Sequence, residues 1–390
     1  MSTKVRTRGR SLLCVIPLCG ASWACMYGQG ASSPSAPLSV DAPLPEQIFT
    51  SAGPYTLEWR HRFRLQFGGV PVGVSEEDGT LWLVTYTFPR KEPEDLLTKI
   101  GPNGQLIAQY DPIVPLKPKE WVERMSLAAS GHHAGLLASL VSGGPDETFE
   151  GAFFLPVEPD GFGKPVRIAG EGPGFLTMAG AGGGQFIAAG EGPLTLIELD
   201  SGGKALWKRP FSVKLELPVV SVGSSGSIFV LSQGGTYVFL QMLDSSGFVV
   251  RSKRIAGVQG VVVADPGGGC SLLFSTRFGG KDNNVYLETL DPELRQLSRV
   301  EAPLIGQGER TYQLITTPRG HLVIGEGSVA NPRTEVPKKV LAEFDNSGKL
   351  MWQQETTSLQ PPLLAPFGSG FYVIRDLFPG QGLDVEKYVY

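Results

Sequence analysis

The chain has 390 residues, with 51 Gly and 31 Pro against 41% hydrophobic residues, so turns are frequent while apolar side chains are numerous enough for a large core. No Gly triplet period runs through it, and its many Val, Leu, Ile and Phe exclude both a collagen-like and a disordered chain. A formal net charge of −4 makes nucleic acid a poor partner.

Met1 to Arg10 carries Lys4, Arg6, Arg8 and Arg10 and no acid, and the apolar stretch Ser11 to Ala24 follows. That is the form of a signal peptide. A helix of that stretch would rise about 21 Å, short of the ~30 Å hydrocarbon core, so residues 1–24 are expected to be a removable signal rather than a permanent span. Ser22-Trp23-Ala24-Cys25 partly resembles a bacterial lipobox. Ala24 and Cys25 match its last two positions, whereas Ser22 replaces the usual Leu and Trp23 is bulky where a small residue belongs. The resemblance implies lipidation at Cys25, with ordinary secretion as the alternative. Residues 25–52, rich in Gly, Ser, Ala and Pro, suit a flexible linker or lipoprotein tether. Removing residues 1–24 deletes four cations and no anion, which takes the net charge from −4 to −8.

Within a single domain of residues 53–390, one phrase recurs seven times between Pro71 and Tyr390: a short apolar run, a Gly-containing turn, a bulkier apolar run, then a third run that ends in a polar turn. Its first turn is anchored at Gly79, Gly135, Gly184, Gly226, Gly269, Gly320 and Gly370, spaced by 56, 49, 42, 43, 51 and 50 residues. A period of this length built from strands predicts one all-β domain, a seven-bladed β-propeller of four-stranded antiparallel blades, with six or eight blades as the alternatives. The third runs end at turns such as Glu198-Leu-Asp-Ser-Gly-Gly and Glu343-Phe-Asp-Asn-Ser-Gly. There Asx side chains bond the local backbone and Gly accepts positive φ. The seventh repeat stops at its third strand, Val385 to Tyr390, without an outer strand. Tyr55 to Phe63 alternates polar and apolar residues and has no partner of its own, so it is expected to supply that fourth strand and close the ring.

The phrase Leu-Asp-x-x-Gly-Lys-x-x-Trp at Leu199 to Trp207, with its relative at Phe344 to Trp352, resembles repeats of bacterial NHL, YVTN and PQQ-type propellers. The likeness covers about residues 55 to 390 and specifies a turn rather than a chemistry. PQQ enzymes would imply a calcium-binding acid set and a Trp platform, and neither is located in this sequence.

Cys270 is the one cysteine in the folded part, opens an apolar run and reads as a buried, inert thiol without a disulfide partner. Of the four His, His132 and His133 sit in an inner hairpin with no metal-ligand spacing, His61 on an outer strand and His321 at the start of a strand. A Ser-His-Asp triad stays open, although no Gly-x-Ser-x-Gly elbow marks a nucleophile. Gly180 to Gly184 lacks the Lys and helix of a phosphate loop and reads as a blade hairpin. Three Gly-Glu-Gly phrases place Glu171, Glu191 and Glu326 as candidate ligand-binding acids, the latter two at equivalent blade positions. Longer insertions, Phe88–Asp95, Gly143–Gly151, Gly279–Asn284 and Ser328–Lys339, fall on the same inferred face and mark it as a recognition surface.

These features favour an exported, membrane-anchored, non-enzymatic propeller of the cell envelope, outer-membrane or periplasmic, that binds a protein, peptide or glycan. The competing readings are a propeller hydrolase or lactonase with a cation held by Glu171, Glu191 or Glu326, and a redox propeller with an organic cofactor. No cofactor is implied by the residues, and the only membrane contact expected is through a lipid on Cys25.

Overall fold

The computed structural model describes residues 53–63, 72–75, 78–85, 96–110, 120–142, 148–158, 161–169, 174–190, 195–211, 216–276, 284–305, 312–326, 339–356, 362–376 and 383–390. Residues 1–52, with the expected signal, Cys25 and the expected tether, lie outside them. Among the described residues there are strands and no helix, so none there is long and apolar enough to cross a membrane.

The first strand in the chain, β1 (Thr56–Phe63), is set aside while six blades form in sequence order. Blade one is β2 (Val72–Ser75), β3 (Leu81–Thr85), β4 (Leu96–Ile100) and β5 (Leu106–Tyr110). Blade two is β6 (Glu120–Ser130), β7 (His133–Ser142), β8 (Thr148–Glu158) and an outer strand split into β9 (Gly161–Phe162) and β10 (Val166–Ala169). The split falls at Gly163-Lys164-Pro165, where proline cannot donate to the ladder. Blade three is β11 (Phe175–Gly182), β12 (Gln185–Gly190), β13 (Thr195–Leu199) and β14 (Ala205–Pro210), and blade four is β15 (Glu216–Val222), β16 (Ile228–Gln233), β17 (Tyr237–Leu243) and β18 (Val249–Ala256). Blade five is β19 (Gln259–Ala264), β20 (Cys270–Ser275), β21 (Asn284–Leu290) and β22 (Gln296–Ile305). Blade six is β23 (Gln313–Thr317), β24 (Gly320–Glu326), β25 (Lys339–Asp345) and β26 (Leu350–Thr356).

Blade seven completes the ring as expected. Its own strands are β27 (Leu363–Phe367), β28 (Gly370–Asp376) and β29 (Leu383–Val389), and β1 pairs antiparallel with β29 from Thr56↔Val389 to Phe63↔Leu383. Seven hydrophobic clusters fill the seven seams between neighbouring blades. The seam between blades seven and one holds Phe63, Leu83, Phe367, Tyr372 and Val385, so the seventh blade packs on the first. The second strands are buried on both faces because each face meets a different neighbour. In β20, Leu272 and Phe274 join the cluster shared with blade four, and Leu273 joins the one shared with blade six. Cys270 is fully buried at the start of that strand, and burial pushes its thiol well above the ordinary range.

Polar groups stitch the inner strands. Met178 N–H donates to Ser126 Oγ at 3.1 Å, Ala264 N–H to Ser221 Oγ at 2.9 Å and Leu364 N–H to Gln313 Oε1 at 2.8 Å, each bond crossing from one blade to the next. The outer hairpins are locked by their aspartates. Asp200 Oδ1 accepts from Gly202 and Lys204 N–H at 3.0 and 2.9 Å, and Asp244, Asp291 and Asp345 repeat the pattern. Gly203, Gly247 and Gly348 follow with φ near +80°, but blade five has Leu294 at that place, with φ of 59°. Its side chain is buried in the seam with blade four, which offsets the ~1 kcal/mol that the left-handed region costs a residue with a Cβ.

Candidate functional site

First and third hairpin turns of the blades lie at one end of the ring, and second hairpins with the blade-to-blade connections lie at the other, because successive strands run antiparallel. Of the candidate acids, Glu326 belongs to the second end. Glu171 and Glu191 lie outside the described residues, as do most residues of the four insertions. Thr148 to Gly151, read as insertion, is already β8, while Asn284 and Lys339 open β21 and β25. Glu326 ends β24, sits in register opposite Lys339 on β25, and its Oε1 accepts from the Lys339 ammonium. The ammonium is almost fully buried, so this carboxylate is engaged as the closing ion pair of a hairpin.

At the opposite end a serine, a histidine and an aspartate do meet. Ser271 on β20 donates to Asp265 Oδ2 at 2.8 Å, and His321 on β24 of blade six reaches both Asp265 Oδ1 at 3.0 Å and Ser271 Oγ at 2.8 Å through Nε2. His321 Nδ1 is buried without a hydrogen bond from the described residues. This topology differs from a catalytic triad, in which the acid holds Nδ1 and leaves Nε2 free to take the serine proton. Both partners here share one nitrogen. Of the two tautomers, the one with its hydrogen on Nε2 leaves an unpaired acceptor at Nδ1 rather than a buried unpaired donor. The group fastens blade five to blade six.

The other buried acids are closed in the same way. Glu343 on β25, fully buried, accepts from the Tyr55 hydroxyl at Oε1 and from Trp352 Nε1 at Oε2, 2.7 Å away, with Arg319 Nε at 3.5 Å. Burial first, and then the hydrogen bond to Glu343, holds the Tyr55 phenol far above its ordinary pKa. Tyr55 immediately precedes β1, so this contact ties the closing strand to blade six as well. Asp384 on β29 is gripped by Arg62 Nε at 2.7 Å and by Arg375, in register on the two flanking strands. Its hydrogen bond raises the pKa of Arg62. Glu288 pairs with Lys253 at 3.0 Å across the seam from blade four, and with Arg299 at 3.7 Å. Blade three keeps a looser version: burial pushes the Glu198 carboxyl up, the facing Trp207 indole opposes that shift, and Trp207 Nε1 makes no hydrogen bond of ordinary geometry. No group of three His, Cys, Asp or Glu able to hold a metal occurs among the described residues.

Exposed chemistry lies instead on the outer strands. Each of the five regular outer hairpins carries one extra residue in its fourth strand just past the turn, a β-bulge occupied by Ile107, Leu206, Val250, Leu297 or Met351, all exposed. In blade four the bulge extends into a three-residue patch, with Phe248 58%, Val249 44% and Val250 53% exposed, whereas in blade six only Leu350 is exposed beside Met351. Strand β18 then continues with Arg251, Lys253 and Arg254 and no acid, and the neighbouring β14 adds Lys208 and Arg209 and no acid. The Arg209 guanidinium lies 4.5 Å from the Phe248 ring centroid, and that of Arg254 lies 3.8 Å from Tyr237. A cationic and apolar wall on two blades thus interrupts a protein of net negative charge.

No family model matches the chain, and no curated protein matches it. Among solved structures 376 chains are similar, which is the breadth expected of a fold that carries many functions. BBS1N in complex with ARL6DN is similar over 86% of this chain and 97% of its own, at 10% identity and a TM-score of 0.53. The WD40 domain of SCAP from fission yeast matches over 88% and 99% at 12% identity and a TM-score of 0.46. A protein of unknown function from Bacteroides caccae matches over 67% and 89% at 19% identity and a TM-score of 0.43.

Proposed function

We propose that the chain is an exported β-propeller, anchored to the membrane through a lipid on Cys25, that works as a non-enzymatic binding or scaffold protein of the cell envelope. Its partner in this reading is a protein or peptide, with a glycan as the remaining option. The observation that carries the reading is the engagement of the acids inside the fold: the buried Glu288, Glu343, Asp384 and Glu386 and the partly buried Glu326 each meet a cation or a hydroxyl or indole donor. The Ser-His-Asp group found among the described residues is wired as a fastener. What faces outward on the outer strands of blades three and four is apolar and cationic side chains. BBS1N, a propeller similar in fold, is itself seen in complex with ARL6DN, which is in keeping with a scaffold role. Export and anchoring are supported by the basic start, the apolar stretch to Ala24 and the partial lipobox.

The hydrolase or lactonase alternative needs two or more of Glu171, Glu191 and Glu326 to converge on a cation, and where Glu326 is one of them Lys339 would have to release it. Two measurements separate the readings. Cys25→Ala should move the protein from the membrane fraction to the soluble one; a wild-type protein already soluble would overturn the anchor. Calcium should leave the melting temperature unchanged, whereas stabilisation that grows with calcium concentration, and is lost in Glu171→Gln and Glu191→Gln, would install the cation-dependent reading.

A further inference from the structure

We infer that the outer edge of β18 takes an extended, acidic and apolar peptide segment of a protein partner as a fifth strand of blade four. The inference rests on the binding-protein reading and names its site and the chemistry of its ligand. Sheet order ends at β18, so one row of its backbone donors and acceptors is unpaired by the blade. From Arg251 to Ala256 its pairing with β17 is regular, which leaves a straight edge of six residues beyond the bulge at Val250. That is long enough for a peptide to form a ladder, with the exposed Phe248, Val249 and Val250 beside its end to receive apolar side chains.

Charge decides the occupant. Lys253 is engaged by Glu288, but no carboxylate among the described residues pairs with Arg251 or Arg254. A second copy of β18 would bring like charges face to face along the edge, the device by which edge strands resist self-pairing. An acidic strand meets the opposite situation. Other outer edges lack this combination: β26 has Glu355 and no cation, β22 sets Arg299 against Glu301, β1 sets Glu58 beside Arg60 and Arg62, β5 is uncharged, the Arg167 of β10 is held by the Glu150 and Ala169 carbonyls, and β14 has Lys208 and Arg209 but one exposed large hydrophobic residue, Leu206. An anionic lipid surface would also feel the cations, yet it would make no use of an unpaired strand edge.

The test uses the purified full chain and a short labelled peptide of alternating Glu and Val, followed by fluorescence anisotropy. A version N-methylated at alternate residues cannot complete the ladder, and phosphatidylglycerol vesicles provide a third probe. The plain peptide should bind and slow hydrogen exchange in β18, and N-methylation should weaken it about tenfold or more. Arg251→Glu with Arg254→Glu should weaken it to a similar extent with an unchanged melting temperature, and Val250→Ser, which spares the charges, should weaken it less. Equal binding of the methylated peptide, or binding to vesicles alone, would overturn the assignment. So would a peptide that binds the charge-reversed protein as well as the wild type, which would move the contact to another face and leave the binding-protein reading standing. Binding of none of the probes overturns the edge site, while the calcium and fractionation results judge the broader reading separately.

Discussion

Gly180 tests how tightly the inner strands close around the ring axis. A Cβ built there would overlap the carbonyl oxygen of Ala129 on β6 and reach its carbonyl carbon at 2.8 Å and Ser130 Cα at 3.2 Å. Gly180 is not in the left-handed region, so Gly180→Ala carries no dihedral penalty and its whole cost is contact between blades two and three. Every obstructing atom is backbone, and no rotamer change relieves it. The expected loss is therefore at the upper end of overpacking costs, about 3 kcal/mol. For a domain of this size that is a fall of roughly 4 °C in melting temperature. Gly183→Ala is the control, because its φ is +58° and nothing lies within 4 Å of its Cβ position; it should cost only ~1 kcal/mol. Urea denaturation followed by circular dichroism measures both. Equal midpoints for the two variants would refute the close approach of β6 and β11 on which the ring geometry depends.

Two further results are expected. Burial raises the Glu198 carboxyl above its unfolded value of 4.5, so its contribution to stability is full below that value and is lost as pH rises through the folded one. Glu198→Gln should accordingly stabilise at pH 7 and not at pH 4, by less than about 1 kcal/mol because the site is partly exposed, as read from denaturation midpoints at the two pH values. Ser271 should resist a fluorophosphonate probe in the native protein, and Ser271→Ala should cost about 1–2 kcal/mol by leaving Asp265 and His321 short of a partner; rapid labelling of Ser271 would restore the triad reading.

The strand order was legible because each blade repeats one local grammar. Asp200, Asp244, Asp291 and Asp345 sit where the chain must reverse, and their carboxylates bond the turn they begin. The closing role of residues 55–63 followed from arithmetic alone, since a seventh repeat with three strands needs a fourth from elsewhere. Side-chain meetings between blades were harder to see. His321 contacts Ser271 and Asp265 from 50 and 56 residues away, close to one blade period, so aligning neighbouring repeats would have found the group where local motifs did not. Glu326 looked like a free loop acid because its partner Lys339 lies 13 residues on, across the longest insertion. Glu343 appeared only as part of a turn phrase. Its partner Tyr55 comes from 288 residues earlier, a distance that only ring closure spans. The cationic wall escaped notice because Arg209 reaches the Phe248 ring only when blades three and four stand side by side.

Hydrogen exchange of β29 tests the closed ring most directly. Between β28 and β1, both rows of its amides and carbonyls are paired, so Leu383–Val389 should exchange as slowly as the second strands and far more slowly than the outer strand β18. Deleting residues 53–63 should release that protection. Exchange of β29 as fast as that of an outer edge in the intact chain would contradict closure by the first strand, and with it the rigid scaffold on which the proposed binding surface stands.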